Sequence, residues 1–201
     1  WVWTKGFKKY LQSIGQEGKI NVVGPLLWYL PCQKKAPKTE NFKIVLFDIV
    51  PFPDAVSNAK FREYYTTKLM KKFVGDVLQT CKILEKKFNQ KIFIDIKHKR
   101  TLKIKQDKEY LDFLDDLLYK NERFNTLDPN VNLYNILESA NLSISVPYTS
   151  TAYVSSKLKK NALYYDPFEE LIPTFEKTKY INFASNVVDL EKRICESLNL
   201  K

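Results

Sequence analysis

The sequence predicts an α/β protein built on a Rossmann-like parallel sheet with helices on both faces. Three observations point there. Strand-like and helix-like segments alternate from residue 41 to the end of the 201-residue chain. The segments Lys43-Ile44-Val45-Leu46-Phe47-Asp48 and Lys91-Ile92-Phe93-Ile94-Asp95-Ile96 have apolar residues on both sides, as in sheets covered twice. The longest amphipathic pattern, 57–88, repeats Phe61, Tyr65, Leu69, Phe73, Val77, Cys81, Leu84 and Phe88 every three or four residues.

The elements follow in order. Residues 4–14 read as a short helix with Phe7, Tyr10, Leu11 and Ile14 on one side, ended by Gly15 and Gly18. Asn21-Val22-Val23-Gly24-Pro25 reads as a short strand and turn, and polar 31–41, with Pro37, as a linker. The 43–48 strand is stopped by Pro51 and Pro53, and Ser57 is the expected N-cap of the long helix. After the 91–96 strand, helices are expected over 107–119 and 132–140, with a short strand 124–127 between them. A strand over 142–146 leads into a helix over 150–158. Strands 162–165 and 180–184 follow, and then a terminal helix capped by Ser185 with Val187, Leu190, Ile194 and Leu198 inward. Residues 1–40 are thus an N-terminal helix, short strand and linker, read as the remnant of a preceding domain. Residues 41–201 are the Rossmann-like domain.

Composition narrows the function. With 44% apolar and 14% aromatic residues the chain can build a core. Its 33 basic and 23 acidic residues give +10, which suits an anionic partner: nucleic acid, a phospholipid surface or a phosphorylated ligand. The three cysteines lack CxxC spacing and His98 is the only histidine, which argues against a zinc site and for a reduced, intracellular chain. No apolar run reaches the roughly 20 residues that span a bilayer. The start at Trp1, without an apolar leader, reads as a fragment or a processed chain.

In open parallel sheets ligands bind beyond the carboxyl ends of the strands. Those ends carry Asp48, Lys97-His98-Lys99-Arg100, Asp128, Thr149-Ser150-Thr151 and Asp166. The three hydroxyls open a helix, where unpaired N–H groups and a partial positive charge attract anions. One of them would suffice as an N-cap, so the others are available to phosphate oxygens. Lys97, Lys99 and Arg100 either neutralise a phosphate or form a solvated basic turn. Asp48 is a base, a nucleophile or a helix cap; His98 titrates near neutrality but has no partner visible in sequence. Asp128-Pro129 and Asp166-Pro167 are also good turn starters. No GxGxxG or GxxxxGK[ST] loop is present, so side chains and helix ends must hold any phosphate.

The succession Phe47-Asp48-Ile49-Val50-Pro51, Lys97 to Arg100, Leu127-Asp128-Pro129, Ile144 to Ala152 and Tyr164-Tyr165-Asp166-Pro167 resembles a known family. It is similar to the C-terminal donor domain of bacterial capsule and lipopolysaccharide glycosyltransferases of the GT-B type, including Kdo transferases. The resemblance implies a cytoplasmic transferase at the inner face of the membrane, taking a nucleotide-sugar such as CMP-Kdo and a glycan or glycolipid acceptor. A second domain or subunit would complete the cleft. It implies phosphate contacts from Thr149, Ser150 and Thr151, neutralisation by Lys97, Lys99 and Arg100, and Asp48 facing the sugar as nucleophile or base. No cofactor and no divalent metal would be required. Lys159-Lys160-Asn161 stands where such domains commonly turn on a glycine. Two readings compete with it: a basic nucleic-acid-binding α/β domain, disfavoured because Lys and Arg are spread along the chain, and a non-catalytic domain with a degenerate site.

Overall fold

The structure is a computed structural model that describes residues 1–24, 41–49, 51, 65–98, 107–173 and 179–200. A six-stranded sheet forms its centre: β1 (Phe42–Phe47), β2 (Ile92–Lys97), β3 (Phe124–Leu127), β4 (Leu142–Ser145), β5 (Asn161–Tyr165) and β6 (Ile181–Ala184). Their order is β3-β2-β1-β4-β5-β6, and every neighbouring pair is parallel. This is the doubly wound Rossmann order. Side-chain alternation splits the core. Ile44 and Leu46 enter one cluster, beneath α2 (Thr67–Phe88), α3 (Lys108–Lys120) and α6 (Val187–Leu198). Val45 and Phe47 enter another, beneath α4 (Leu133–Ser139) and α5 (Ser150–Lys157). Burial on both faces explains why β1 reads as a continuous apolar run.

Local chemistry sets the helix boundaries. Thr66, extended and buried, accepts from Leu69 N–H at 3.1 Å and starts α2. The described helix therefore begins at Thr67, and the expected cap Ser57 lies outside the described residues together with Phe61. Asp107 and Asn132 cap α3 and α4 as Asx side chains do. At the last helix Asn186, not Ser185, is the cap: its Oδ1 accepts from Asp189 N–H at 2.9 Å. Val187, in the first turn, is 40% exposed, while Leu190, Ile194 and Leu198 face inward. Both α2 and α6 end on a left-handed asparagine, Asn89 and Asn199. After α5 the left-handed position falls on Lys159, at φ 57°, in the turn where a glycine would be the less strained choice.

Residues 1–24 add no strand to the sheet. They form α1 (Lys5–Ser13), capped by Thr4, and a single parallel bridge between Val2 and Val22. No residue of α1 is buried, and Phe7, Tyr10 and Ile14 on its apolar side are exposed. Most of the expected linker lies outside the described residues.

Candidate functional site

The sheet order makes β1 and β4 neighbours, and the chain leaves these two strands in opposite directions along the sheet. The crevice at their carboxyl ends is the topological switch point, where doubly wound sheets take ligands. Asp48 follows β1 and the 146–151 turn follows β4, so two of the groups singled out in the sequence flank it.

The β1 side is built by strand register. Phe47 pairs with Lys97. One residue further on, Asp48 meets His98, with Nδ1 2.5 Å from Oδ2. Tyr110, in the first turn of α3, donates its hydroxyl to the same oxygen at 3.1 Å. Asp107 holds α3 there: one carboxylate oxygen accepts from Glu109 N–H and the other from the Thr67 hydroxyl at the start of α2. The Asp48 side chain is 1% exposed and that of His98 19%. Oδ1 of Asp48 is buried without a protein partner among the described residues.

The electrostatics follow from this packing. Burial, the largest influence on His98, lowers its proton affinity. The hydrogen bond and charge of Asp48 outweigh burial and the weaker opposition of Lys97, and the pKa is raised above the usual histidine value. Burial, and then Asp48, holds the Tyr110 hydroxyl well above its ordinary range, so it stays a donor. With Nδ1 against Asp48, Nε2 is the ring nitrogen on the side away from the carboxylate.

The β4 side is the turn Pro147-Tyr148-Thr149-Ser150. Thr149 occupies the cap position of α5, yet its side chain accepts no helix N–H. Its hydroxyl lies instead 3.1 Å from the Val146 carbonyl, 2.9 Å from Ser145 Oγ and 3.1 Å from Thr151 Oγ1. Thr149 thus does not cap the first amides of α5 with its side chain. Tyr148 is left-handed, with φ 65°. Its hydroxyl donates to the Ile172 carbonyl, and its ring lies 6.2 Å from that of Tyr164. Tyr164 in turn donates to the Thr149 carbonyl at 2.7 Å. A strained backbone so braced is characteristic of binding turns.

The remaining candidates divide. Lys97 Nζ donates to the Pro129 carbonyl at 2.7 Å, at the β3 side of the edge. Lys99 and Arg100 lie outside the described residues. Asp128 is exposed and accepts from Asn130 N–H at 2.8 Å, as a turn starter does. Asp166 is fully buried, with its two oxygens accepting from Phe168 and Leu171 N–H at 3.2 and 2.7 Å. Both aspartates act structurally in these contacts. Tyr110 and Ser145 were not singled out as site residues from sequence, whereas Tyr164 stood out as part of Tyr164-Tyr165-Asp166-Pro167. Tyr110 carried a signal, because it sits one turn after the Asp107 cap on the inner side of its helix. Among the described residues no three His, Cys, Asp or Glu side chains converge as a metal-binding group, and no helix is long and apolar enough to cross a membrane.

Six parallel strands in doubly wound order with helices on both faces define the class: a Rossmann-like α/β domain. More specifically, the chain belongs to the polysaccharide biosynthesis PFTS motif family, which it matches over residues 1–194. The motif in the family's description differs by one ring hydroxyl from Pro147-Tyr148-Thr149-Ser150. No curated protein sequence is significantly similar to the chain. Among solved structures it is similar to the crystal structure of TarM, with TM-score 0.49 and 13% identity, over 98% of this chain and 36% of that one. The chain spans little more than a third of that protein's length, and the likeness is too distant to carry anything further.

Proposed function

We propose that the chain is the nucleotide-sugar-binding domain of a glycosyltransferase in polysaccharide biosynthesis. The observation that carries this reading is strand adjacency: a hydroxyl-bearing helix start follows the strand beside the one that ends at a buried Asp–His pair, in a member of a polysaccharide biosynthesis family. In this reading the amides of the turn and the hydroxyls of Ser150 and Thr151 take the donor phosphate, while Thr149, whose hydroxyl is held by Val146 and Ser145, keeps the turn in shape. Lys97, Lys99 and Arg100 supply the basic rim.

Asp48 is a positioning residue rather than a nucleophile. Its side chain is buried, and Oδ2 is committed to His98 and Tyr110. The catalytic residue is His98. Its Nε2 receives the acceptor hydroxyl's proton as a general base or, protonated, meets the negative charge that grows on the leaving phosphate. The acceptor is a glycan or glycolipid, and a second domain or subunit closes the cleft over it. Cytidine is the base suggested by the resemblance to Kdo transferases, so CMP heads the set to be tried. Among the described residues Lys43, Lys71, Lys72, Lys87, Lys120, Arg123 and Arg193 are each paired with a carboxylate.

The test is thermal-shift binding of CMP, UDP, GDP and ADP to the chain and to Ser150→Asp. An acidic residue at a helix start favours the helix but repels a phosphate. One nucleotide should stabilise the wild type, by about 2.7 kcal/mol at 100 times its Kd. It should leave Ser150→Asp unmoved. A wild type indifferent to all four, or a variant that binds as well, overturns the reading.

A further inference from the structure

One oxygen of Asp48 serves two donors, and the other serves none among the described residues. Oδ2 lies 2.5 Å from His98 Nδ1 and accepts the Tyr110 hydroxyl at 3.1 Å. Oδ1 is buried beside it without a partner there. The tyrosine therefore reaches the oxygen that the histidine already uses. Its ring is held in that position: it is 3% exposed and stacks on Phe113, one turn further along α3, at 6.4 Å between centroids. Phe113 in turn lies 5.7 Å from Lys71 Nζ, which sits over its ring. A phenylalanine at 110 would fill the same apolar space without bringing a polar group into the interior, so packing alone does not account for the hydroxyl.

We propose that Tyr110 is a positioning residue that tunes His98 through Asp48: by sharing Oδ2, it restrains the carboxylate's pull on the imidazole proton. Hydrogen bonds polarise the groups they join. A donor that draws electron density from an oxygen weakens that oxygen's hold on a second donor. Burial, and then Asp48, keeps the Tyr110 hydroxyl protonated near neutrality, so it remains a donor throughout. Besides burial, the charges that act on the ring are Asp48, which raises its proton affinity, and Lys97, which lowers it. The acids at the start of α3 are engaged elsewhere, Asp107 with Thr67 and Glu109 with Lys71. An acid–base group works best when its proton affinity matches the working pH, and Tyr110 offsets part of the excess that a buried carboxylate imposes. The tuning stands on the shared hydrogen bonds. Its use in sugar transfer rests on the reading of His98 as the acid–base residue of the donor site.

The experiment is a ring-proton NMR titration of His98, the one histidine of the chain, in the wild type, Tyr110→Phe, Asp48→Asn and the double variant. Phenylalanine keeps the ring and its stack on Phe113, and an unchanged far-ultraviolet CD spectrum verifies the fold. The Tyr110→Phe midpoint should rise by roughly 0.3 pH unit, which corresponds to about a fifth of a hydrogen bond between charged partners. In the Asp48→Asn background the same substitution should leave the midpoint in place, because the shared charge is gone. A tyrosine that only fills space gives the opposite sign: loosened packing admits water, weakens the Asp48–His98 bond and lowers the midpoint towards the usual value of about 6.5. A fall or no change in Tyr110→Phe overturns the proposal. So does an equal rise in the Asp48→Asn background, since the effect would then not run through the carboxylate. The titration needs no nucleotide. A chain that binds none of the four yet shows the rise loses the donor-site reading and keeps this one; a chain that binds one without the rise does the reverse.

Discussion

Asp48→Asn isolates what the carboxylate does for His98. In the wild type the ring is pulled two ways: burial and Lys97 lower its proton affinity, while the hydrogen bond and charge of Asp48 raise it and win. Asparagine keeps the shape but removes the charge, so only the lowering influences remain. A hydrogen bond between charged partners is worth about 1.5–3 kcal/mol, and the imidazolium loses about that much. The titration midpoint should therefore move from above to below the usual histidine value of about 6.5. Because His98 is the chain's one histidine, its ring-proton NMR signal is identified without labelling. Stability carries the same signature. A histidine whose folded pKa is raised contributes stability that is fully present below the unfolded value and is lost as pH rises through the folded value. The deficit of Asp48→Asn in urea unfolding should thus be largest below about pH 6.5 and shrink above it. A wild-type midpoint at or below the usual value, or one that Asp48→Asn leaves in place, would refute the pairing and with it the role given to Asp48.

Two further substitutions test the scaffold. Thr66→Ala removes the buried hydroxyl that caps α2 and should cost about 1 kcal/mol in urea unfolding. An unchanged midpoint would mean that the helix does not begin there. Ser143 and Ser155 share a buried hydrogen bond at 2.8 Å between β4 and α5. Ser143→Ala should cost about 1–3 kcal/mol by orphaning its partner, and the added Ser155→Ala should recover part of it. Additive losses would show that the two hydroxyls are not coupled.

The fold was legible because its signals are local. Two-sided apolar strands, a long amphipathic helix and Asx caps all lie within a few residues of the elements they define. Errors came where neighbouring residues compete for one job. Ser185 and Asn186 are both good caps, and only the observed backbone shows that Asn186 reaches the helix amide. The start of α2 was misplaced for a similar reason: the apolar period runs on past the capping threonine, and periodicity alone does not see the cap.

The site obeys a different logic. Its members were visible one by one, yet Asp48 and His98 stand 50 residues apart in the chain. Nothing local joins an aspartate after one strand to a histidine after another. What joins them is strand order: once β1 lies beside β2 in parallel register, the residues that follow Phe47 and Lys97 must meet. The same order places β4 on the other side of β1 and sets the hydroxyl turn across the crevice. It also sends Asp128 and Asp166 to the ends of strands outside the β1–β4 pair, where turns use them. Strand-end position alone therefore overcounts candidates. Adjacency to the switch point sets Asp48 and the hydroxyl turn apart from Asp128 and Asp166, and that adjacency is a property of the sheet rather than of any segment.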